Sequence, residues 1–258
     1  MSCAVHARDL RFTYPNGTVG LAGVDFHVTH GERVAILGPN GAGKTTLMLH
    51  LNALLVGKGS LEVAGLQVGR DDARGLRARV GLVFQDPDDQ LFMPSVREDV
   101  AFGPLNQGLS REEVAARIDE ALGAVRMADV ADRAPHQLSL GQRRRVAIAT
   151  VLAMRPSVLV LDVPSANLDP RTRRELIEVL DRVERTMLVV THDLPLAATL
   201  CERAVVLSGG RVVADGPCPD ILRDDDLLAA NDLELPMGFD LARIPLRAPH
   251  DPFAAERY

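Results

Sequence analysis

Apolar positions spaced for strands occupy Ala4 to Tyr14 and Val19 to His27, with the turn signal Pro15-Asn16-Gly17 between them. Arg33 to Leu37 is a short apolar run that ends at a glycine, and Lys44 to Leu55 reads as a helix behind it. Strand, glycine-rich loop and helix in that order make one α/β unit. Leu61 to Val63 and Val80 to Phe84 are further short strands. Ser110 and Glu113 form a capping box that opens a helix to about Val125. Gly141 to Met154 is a second helix, stopped before Pro156. Val158 to Leu161 (strand), Arg171 to Arg185 (helix) and Met187 to Thr191 (strand) follow. Arg203 to Leu207 and Arg211 to Ala214, joined through Ser208-Gly209-Gly210, predict a closing hairpin. Short apolar runs alternating with helices predict an α/β fold with a mainly parallel sheet covered on both faces, preceded by an antiparallel β region. Past Asp224 the pattern weakens. Leu233 to Tyr258, with prolines at 236, 245, 249 and 252, reads as an appendage with little regular structure.

Composition narrows the class. In 258 residues, 47% are hydrophobic, enough for a substantial core. The net charge of −6 argues against a broad nucleic-acid footprint. No run of about 18 apolar residues is present, so no membrane-spanning helix is expected. The N-terminus lacks the basic-then-apolar pattern of a secretory signal. Cys3, Cys201 and Cys218 are odd in number and far apart, which suits a reducing cytoplasm better than a disulfide framework. Only Lys44 and Lys58 are lysines among 29 basic residues. One of them falls where a compact ammonium is needed, and arginine's planar fork is no simple substitute there.

That place is Gly38-Pro39-Asn40-Gly41-Ala42-Gly43-Lys44-Thr45, which fits the phosphate-loop pattern G-x-x-x-x-G-K-[ST] with the right flanking elements. The glycines let successive N–H groups turn inward as an anion nest, and the following helix adds its free donors and positive dipole end. Lys44 should reach the β- and γ-phosphates of ATP. Thr45 should ligate Mg²⁺, and Thr46 adds a hydroxyl.

Other residues extend the site. Val158-Leu159-Val160-Leu161-Asp162 is an apolar strand ending in an acid suited to holding the waters of Mg²⁺. Leu138-Ser139-Leu140-Gly141-Gln142 opens a helix with chemistry that suits a γ-phosphate. Gln85 follows a buried strand, where its amide can sense metal and attacking water. His192 lies at a strand's carboxyl end, where α/β sites gather. Tyr14 can stack on a base or pack at a strand edge. Arg143-Arg144-Arg145 reads as a solvated helix face or an interface, with no site role.

In this order the residues resemble the ATP-binding-cassette ATPases over nearly all of residues 1 to 225. The resemblance makes Ser139, Gly141 and Gln142 part of the signature loop, Gln85 the Q-loop and His192 the switch histidine. Asn167-Leu168-Asp169 becomes the D-loop and Tyr14 the adenine-stacking aromatic. It implies a P-loop NTPase core, an antiparallel β subdomain, a helical subdomain at about 86–155 carrying the signature loop, and an appendage at 226–258. Gln85, His192 and Asp162 take catalytic roles, and Thr45, Gln85 and Asp162 hold the metal. Two ATPases, identical or different, would pair head to tail, each ATP lying between one phosphate loop and the other chain's signature loop. The stretch Gln85-Asp86-Pro87-Asp88-Asp89-Gln90-Leu91-Phe92, continuing through Val96 to Pro104, is similar to the ATPases of energy-coupling-factor importers for cobalt, nickel or vitamins. Asp88 and Asp89 also fit an ordinary acidic surface turn. Such a subunit docks on integral membrane proteins and sits peripherally at the cytoplasmic face of the membrane. A cassette acting on ribosomes or DNA is disfavoured by the negative charge.

The sequence departs from that family at one important place. The acidic motif that normally continues Asp-Glu-Pro reads Asp162-Val163-Pro164. The missing glutamate polarises the attacking water, a contribution of about 10²–10⁴ in rate. Either His192 and Gln85 sustain slow turnover, or the site only binds ATP. Leu140, where the family commonly has glycine or a variable residue, is a smaller departure.

Overall fold

The computed structural model describes residues 3–244 and Arg247. Along the chain run β1 (Cys3–Thr13), β2 (Val19–Thr29), β3 (Arg33–Leu37), α1 (Lys44–Leu51), β4 (Lys58–Val63), β5 (Leu66–Gln67), α2 (Ala73–Arg79) and β6 (Val80–Val83). Then come α3 (Val96–Asn106), α4 (Arg111–Ala124), α5 (Leu140–Leu152), β7 (Val158–Asp162), α6 (Pro170–Asp181), β8 (Thr186–Val190) and α7 (Leu194–Leu200). β9 (Arg203–Ser208), β10 (Arg211–Pro217), α8 (Cys218–Arg223) and α9 (Asp225–Ala230) complete the order.

Two sheets result. One is antiparallel, in the order β2-β1-β4-β5. The other runs β10-β9-β3-β8-β7-β6, parallel throughout except for β10, which pairs antiparallel with β9 at the edge. Every residue of β3, β6, β7 and β8 is buried, as strands covered on both faces must be. Alternation then sorts them. Val34, Ile36, Val158, Val160, Leu188 and Val190 join Leu47, Met48 and the antiparallel sheet in one apolar cluster. Ala35, Leu37, Leu159, Leu161, Met187 and Val189 join the helices of the other face, α3 to α6 among them.

Helix ends differ from the sequence reading where distant groups intervene. α1 stops at Leu51 rather than Leu55, because Asn52 caps it and Ala53 turns to φ 56°. α6 stops at Asp181 rather than Arg185. There the buried Arg33 guanidinium reaches across from β3 and donates to the carbonyls of Asp181 (2.9 Å) and Val183 (2.8 Å). The sequence pattern does not mark helices α2, α3, α7, α8 and α9, although Ser95 and Glu98 form a full capping box on α3. The segment after Asp224 holds α9 and one short turn at Leu241–Arg243. It packs onto the core through Leu228, Leu233, Leu235, Leu241 and Ile244. Residues 245, 246 and 248–258 of the expected appendage lie outside the described residues.

Candidate functional site

The phosphate loop leaves the carboxyl end of β3 and enters α1. Gly38, Gly41 and Gly43 have φ of 141°, 79° and 102°, the conformations that turn N–H groups inward. A Cβ on Gly43 would stand 2.4 Å from the Gly20 carbonyl, so no side chain fits there. Lys44 Nζ donates to the Gly38 and Pro39 carbonyls at 2.7 and 2.8 Å, which holds the ammonium over the loop mouth. Burial pushes the Lys44 pKa down, and the Asp162 carboxylate opposes that shift. Asp162, at the end of β7, is pushed up by burial and drawn back by Lys44. Each charge thus offsets part of the burial penalty on the other. Asn40 is exposed, whereas Ala42 is buried and its carbonyl accepts from Gly210 N–H at 3.0 Å.

A cleft of about 380 Å³ opens beside this pair, lined in part by Thr45, Gln85, Asp86, Arg144, Asp162 and Asn167. It brings together the three expected metal-site residues, Thr45, Gln85 and Asp162. Among the described residues no group of three or more His, Cys, Asp or Glu could hold a metal by itself. A hydroxyl, an amide and one carboxylate instead fit a hard ion that completes its shell with water and phosphate oxygens.

Tyr14 directly follows β1, and its hydroxyl hydrogen-bonds Thr46 Oγ1 at 3.0 Å. Its ring meets Phe12 edge-on at 4.9 Å, and Phe12 meets His50 at 5.0 Å. The expected base-stacking ring is therefore fastened to the phosphate-loop helix. His192 is exposed just past β8 and does not line the cleft. Its neighbour Asp193 takes both nitrogens of the Arg173 fork at 2.7 Å, the Ser165 hydroxyl at 2.8 Å and the Leu196 N–H at 2.9 Å. Burial alone would raise the Asp193 pKa, but the Arg173 bonds and the donated N–H and O–H hold it low. Asp193 was not singled out from the sequence, although an aspartate two residues before Pro195 is a helix-start signal.

Ser139, Gly141 and Gln142 do not line this cleft, although Leu140 between them does. Ser139 caps α5, its Oγ accepting from Gln142 N–H while Gln142 Oε1 accepts from Ser139 N–H. Gly141 is pressed against α6, where a Cβ would lie 2.1 Å from Thr172 Cγ2.

The arginine triplet is not a solvated face. Arg144 is 3% exposed. Its Nη1 donates to the Val163 and Pro164 carbonyls (3.0 and 2.7 Å), and its Nη2 to the Gln85 carbonyl (2.8 Å). Arg143 pairs with Asp88 at 3.2 Å, and the mostly buried Arg145 lies 3.8 Å from Glu175. A run of like charges gives no sequence sign of this, because the carbonyls that attract each guanidinium come from distant loops. Val163 itself is buried with φ 39°, a left-handed conformation that costs a β-branched residue about 1–3 kcal/mol. Its N–H donates to the Val190 carbonyl at 2.8 Å, and its side chain offers no acceptor.

Known proteins resemble this chain in sequence and fold. The ABC transporter family profile matches residues 21–166. An ABC transporter ATP-binding protein of Streptomyces coelicolor is 61% identical over 90% of this chain and 89% of its own length. An energy-coupling factor transporter ATP-binding protein, EcfA, of Carboxydothermus hydrogenoformans is 47% identical over 92% of this chain and 89% of its own. The structure of cbiO1 from Clostridium perfringens, part of the ABC transporter complex cbiONQ, superposes with a TM-score of 0.80 at 35% identity, covering 92% of this chain and 97% of that one. A dimeric ATP-binding cassette in a post-hydrolysis state with ADP and phosphate gives 0.74 at 28% identity, over 83% and 98%. The profile match over more than half the chain, the close relatives and the shared mixed α/β fold show that this chain belongs to the ABC transporter ATP-binding family.

Proposed function

We propose that the chain is the ATP-binding motor subunit of an energy-coupling-factor type importer for cobalt, nickel or a vitamin, docked on membrane subunits at the cytoplasmic face. The carrying observation is a glycine nest that seats the Lys44 ammonium on the Gly38 and Pro39 carbonyls, next to a cleft lined by Thr45, Gln85 and Asp162. In this reading Gly38 to Gly43 cradle the phosphates with main-chain N–H groups, Lys44 holds the β,γ end, and Tyr14 takes the adenine. Thr45, Gln85 and Asp162 would hold Mg²⁺, which neutralises developing phosphate charge when bound. Ser139 and Gly141 would close over the ATP of a second ATPase subunit. Binding energy drives that closure only through tighter binding to the closed state.

The surface beyond Gln85 suits a membrane partner. Phe92, Phe102 and Leu105 are exposed, and Phe92 meets Phe102 edge-on at 5.2 Å. Beside them is a largely apolar groove of about 830 Å³, lined in part by Arg74, Phe102, Asn106 and Met154. Exposed apolar surface of this kind marks a contact with another protein. Among the described residues no helix is long and apolar enough to cross a membrane.

Val163 favours a second version of the same role: ATP closes the dimer while hydrolysis at this chain's own phosphate loop is slow or absent, and a glutamate-bearing partner provides turnover. Calorimetry with Mg-ATP tests the core of the proposal. Wild type should bind, and Lys44→Ala should weaken binding at least tenfold, the loss of about one charge-assisted phosphate contact. Absence of binding by wild type, or an unchanged affinity in Lys44→Ala, would overturn it.

A further inference from the structure

We infer that the turn between β9 and β10, with Gly210 as its keystone, is a strut that sets the spacing between the two halves of the nucleotide site; this rests on the ATP reading above. The halves belong to different sheets. Tyr14 directly follows β1 of the antiparallel sheet, whereas the phosphate loop leaves β3 of the parallel one. The chain crosses between the two sheets at the Thr29–Arg33 connection, through the phosphate loop and α1 to β4, and through α2 to β6, and none of these crossings runs through the β9–β10 turn.

Gly210 bonds to both sides. Its N–H donates to the Ala42 carbonyl of the phosphate loop at 3.0 Å, and its carbonyl accepts from Ala22 N–H of β2 at 2.8 Å. Its φ is +73°, and a Cβ built there would stand 3.0 Å from Ala22 N and 3.1 Å from both Gly20 O and Leu21 Cα. All three of those atoms are backbone, and all belong to β2. Gly20 closes the same seam from the other sheet: its Cβ would lie 2.9 Å from Thr46 Cγ2 and 3.0 Å from Tyr14 Cε2. Main chain meets main chain here without the width of a methyl group to spare.

A methyl group on residue 210 keeps both backbone hydrogen-bonding groups but pushes β2, and with it the Tyr14 side, away from the phosphate loop. A ligand that spans both halves then loses the advantage of binding two subsites at a matched separation. A ligand that uses the phosphate loop alone does not. Gly209 supplies a matched control. It lies in the same turn with φ +53°, yet its Cβ would meet nothing within 4 Å.

The test is calorimetry of the full chain with Mg-ATP and, separately, with magnesium tripolyphosphate, with thermal unfolding confirming that each variant is folded. Gly210→Ala should weaken Mg-ATP by about tenfold or more and tripolyphosphate by no more than about twofold. Gly209→Ala should leave both within about twofold. If Gly210→Ala does not fold, Gly20→Ala presses on the seam from β2 through the Thr46 and Tyr14 side chains and should also weaken Mg-ATP more than tripolyphosphate. A folded Gly210→Ala that binds Mg-ATP like wild type, or that weakens both ligands equally, overturns the strut. Failure of wild type to bind Mg-ATP overturns the ATP reading instead.

Discussion

Beneath the phosphate-loop helix a single imidazole is sealed from water. His50 is fully buried, with Nδ1 paired to the Thr46 carbonyl at 2.7 Å and Nε2 without a hydrogen-bond partner. Burial pushes its pKa below the ordinary histidine value, and the bond to Thr46 only partly opposes this. The folded state therefore keeps His50 neutral where the unfolded chain, with a pKa of about 6.5, takes up a proton. Unfolded molecules bind more protons in that window, so this contribution to stability is fully present above about pH 6.5 and is lost as pH falls toward the folded pKa. Asp99 and Asp162, both raised by burial, act in the opposite sense at lower pH. The difference between wild type and His50→Asn isolates the imidazole, since the amide can still donate to Thr46. Urea unfolding from pH 8 to pH 5.5 should show wild type losing stability relative to the variant; parallel curves would rule out a buried neutral histidine here.

At the scale of elements, α5 is tied to two loops by one side chain. Arg144 satisfies the carbonyls of Gln85, Val163 and Pro164, which leave β6 and β7. Burial lowers its pKa and Asp86 counters that shift, so the guanidinium stays charged at any ordinary pH. Leaving a buried acceptor unpaired costs about 1–3 kcal/mol, so Arg144→Met should destabilise the fold by at least about 2 kcal/mol in urea titration. Arg144→Lys should recover only part, because an ammonium lacks the flat fork that reaches divergent acceptors. A folded Arg144→Met within about 0.5 kcal/mol of wild type would show that the clamp is idle. This side chain also marks the limit of what the sequence displays. The phosphate loop, the apolar strand ending at Asp162 and the β9–β10 hairpin announce themselves through local spacing. The Arg143–Arg145 run does not, because its partners lie in loops distant along the chain. The end of α6 was hidden for the same reason, being capped by Arg33 from β3. Helix α3 was missed for a local one: Pro104 inside it argues against a helix, and only the Ser95/Glu98 box argues for it.

For the whole molecule, the proposed head-to-tail pairing can be tested without knowledge of the natural partner. Val163 is buried in a left-handed conformation next to Asp162, at the position that the Asp-Glu-Pro pattern fills with glutamate. Val163→Glu should raise ATP turnover of the chain by at least about tenfold, the low side of what a positioned general base contributes. In a head-to-tail dimer each working site takes its phosphate loop and residue 163 from one chain and Ser139 from the other. Ser139→Asp keeps a good helix cap on α5 but faces the triphosphate with a negative charge. The double variant Val163→Glu/Ser139→Asp should therefore be silent alone, as should Lys44→Ala. Mixed, they form one complete site: the first supplies the phosphate loop and the new carboxylate, the second an intact Ser139. Phosphate release from the mixture should return to within a few-fold of Val163→Glu, because only heterodimers carry a competent site, and only one each. If the mixture stays as silent as its components while Val163→Glu alone is active, the site is completed within one chain and the head-to-tail arrangement is wrong.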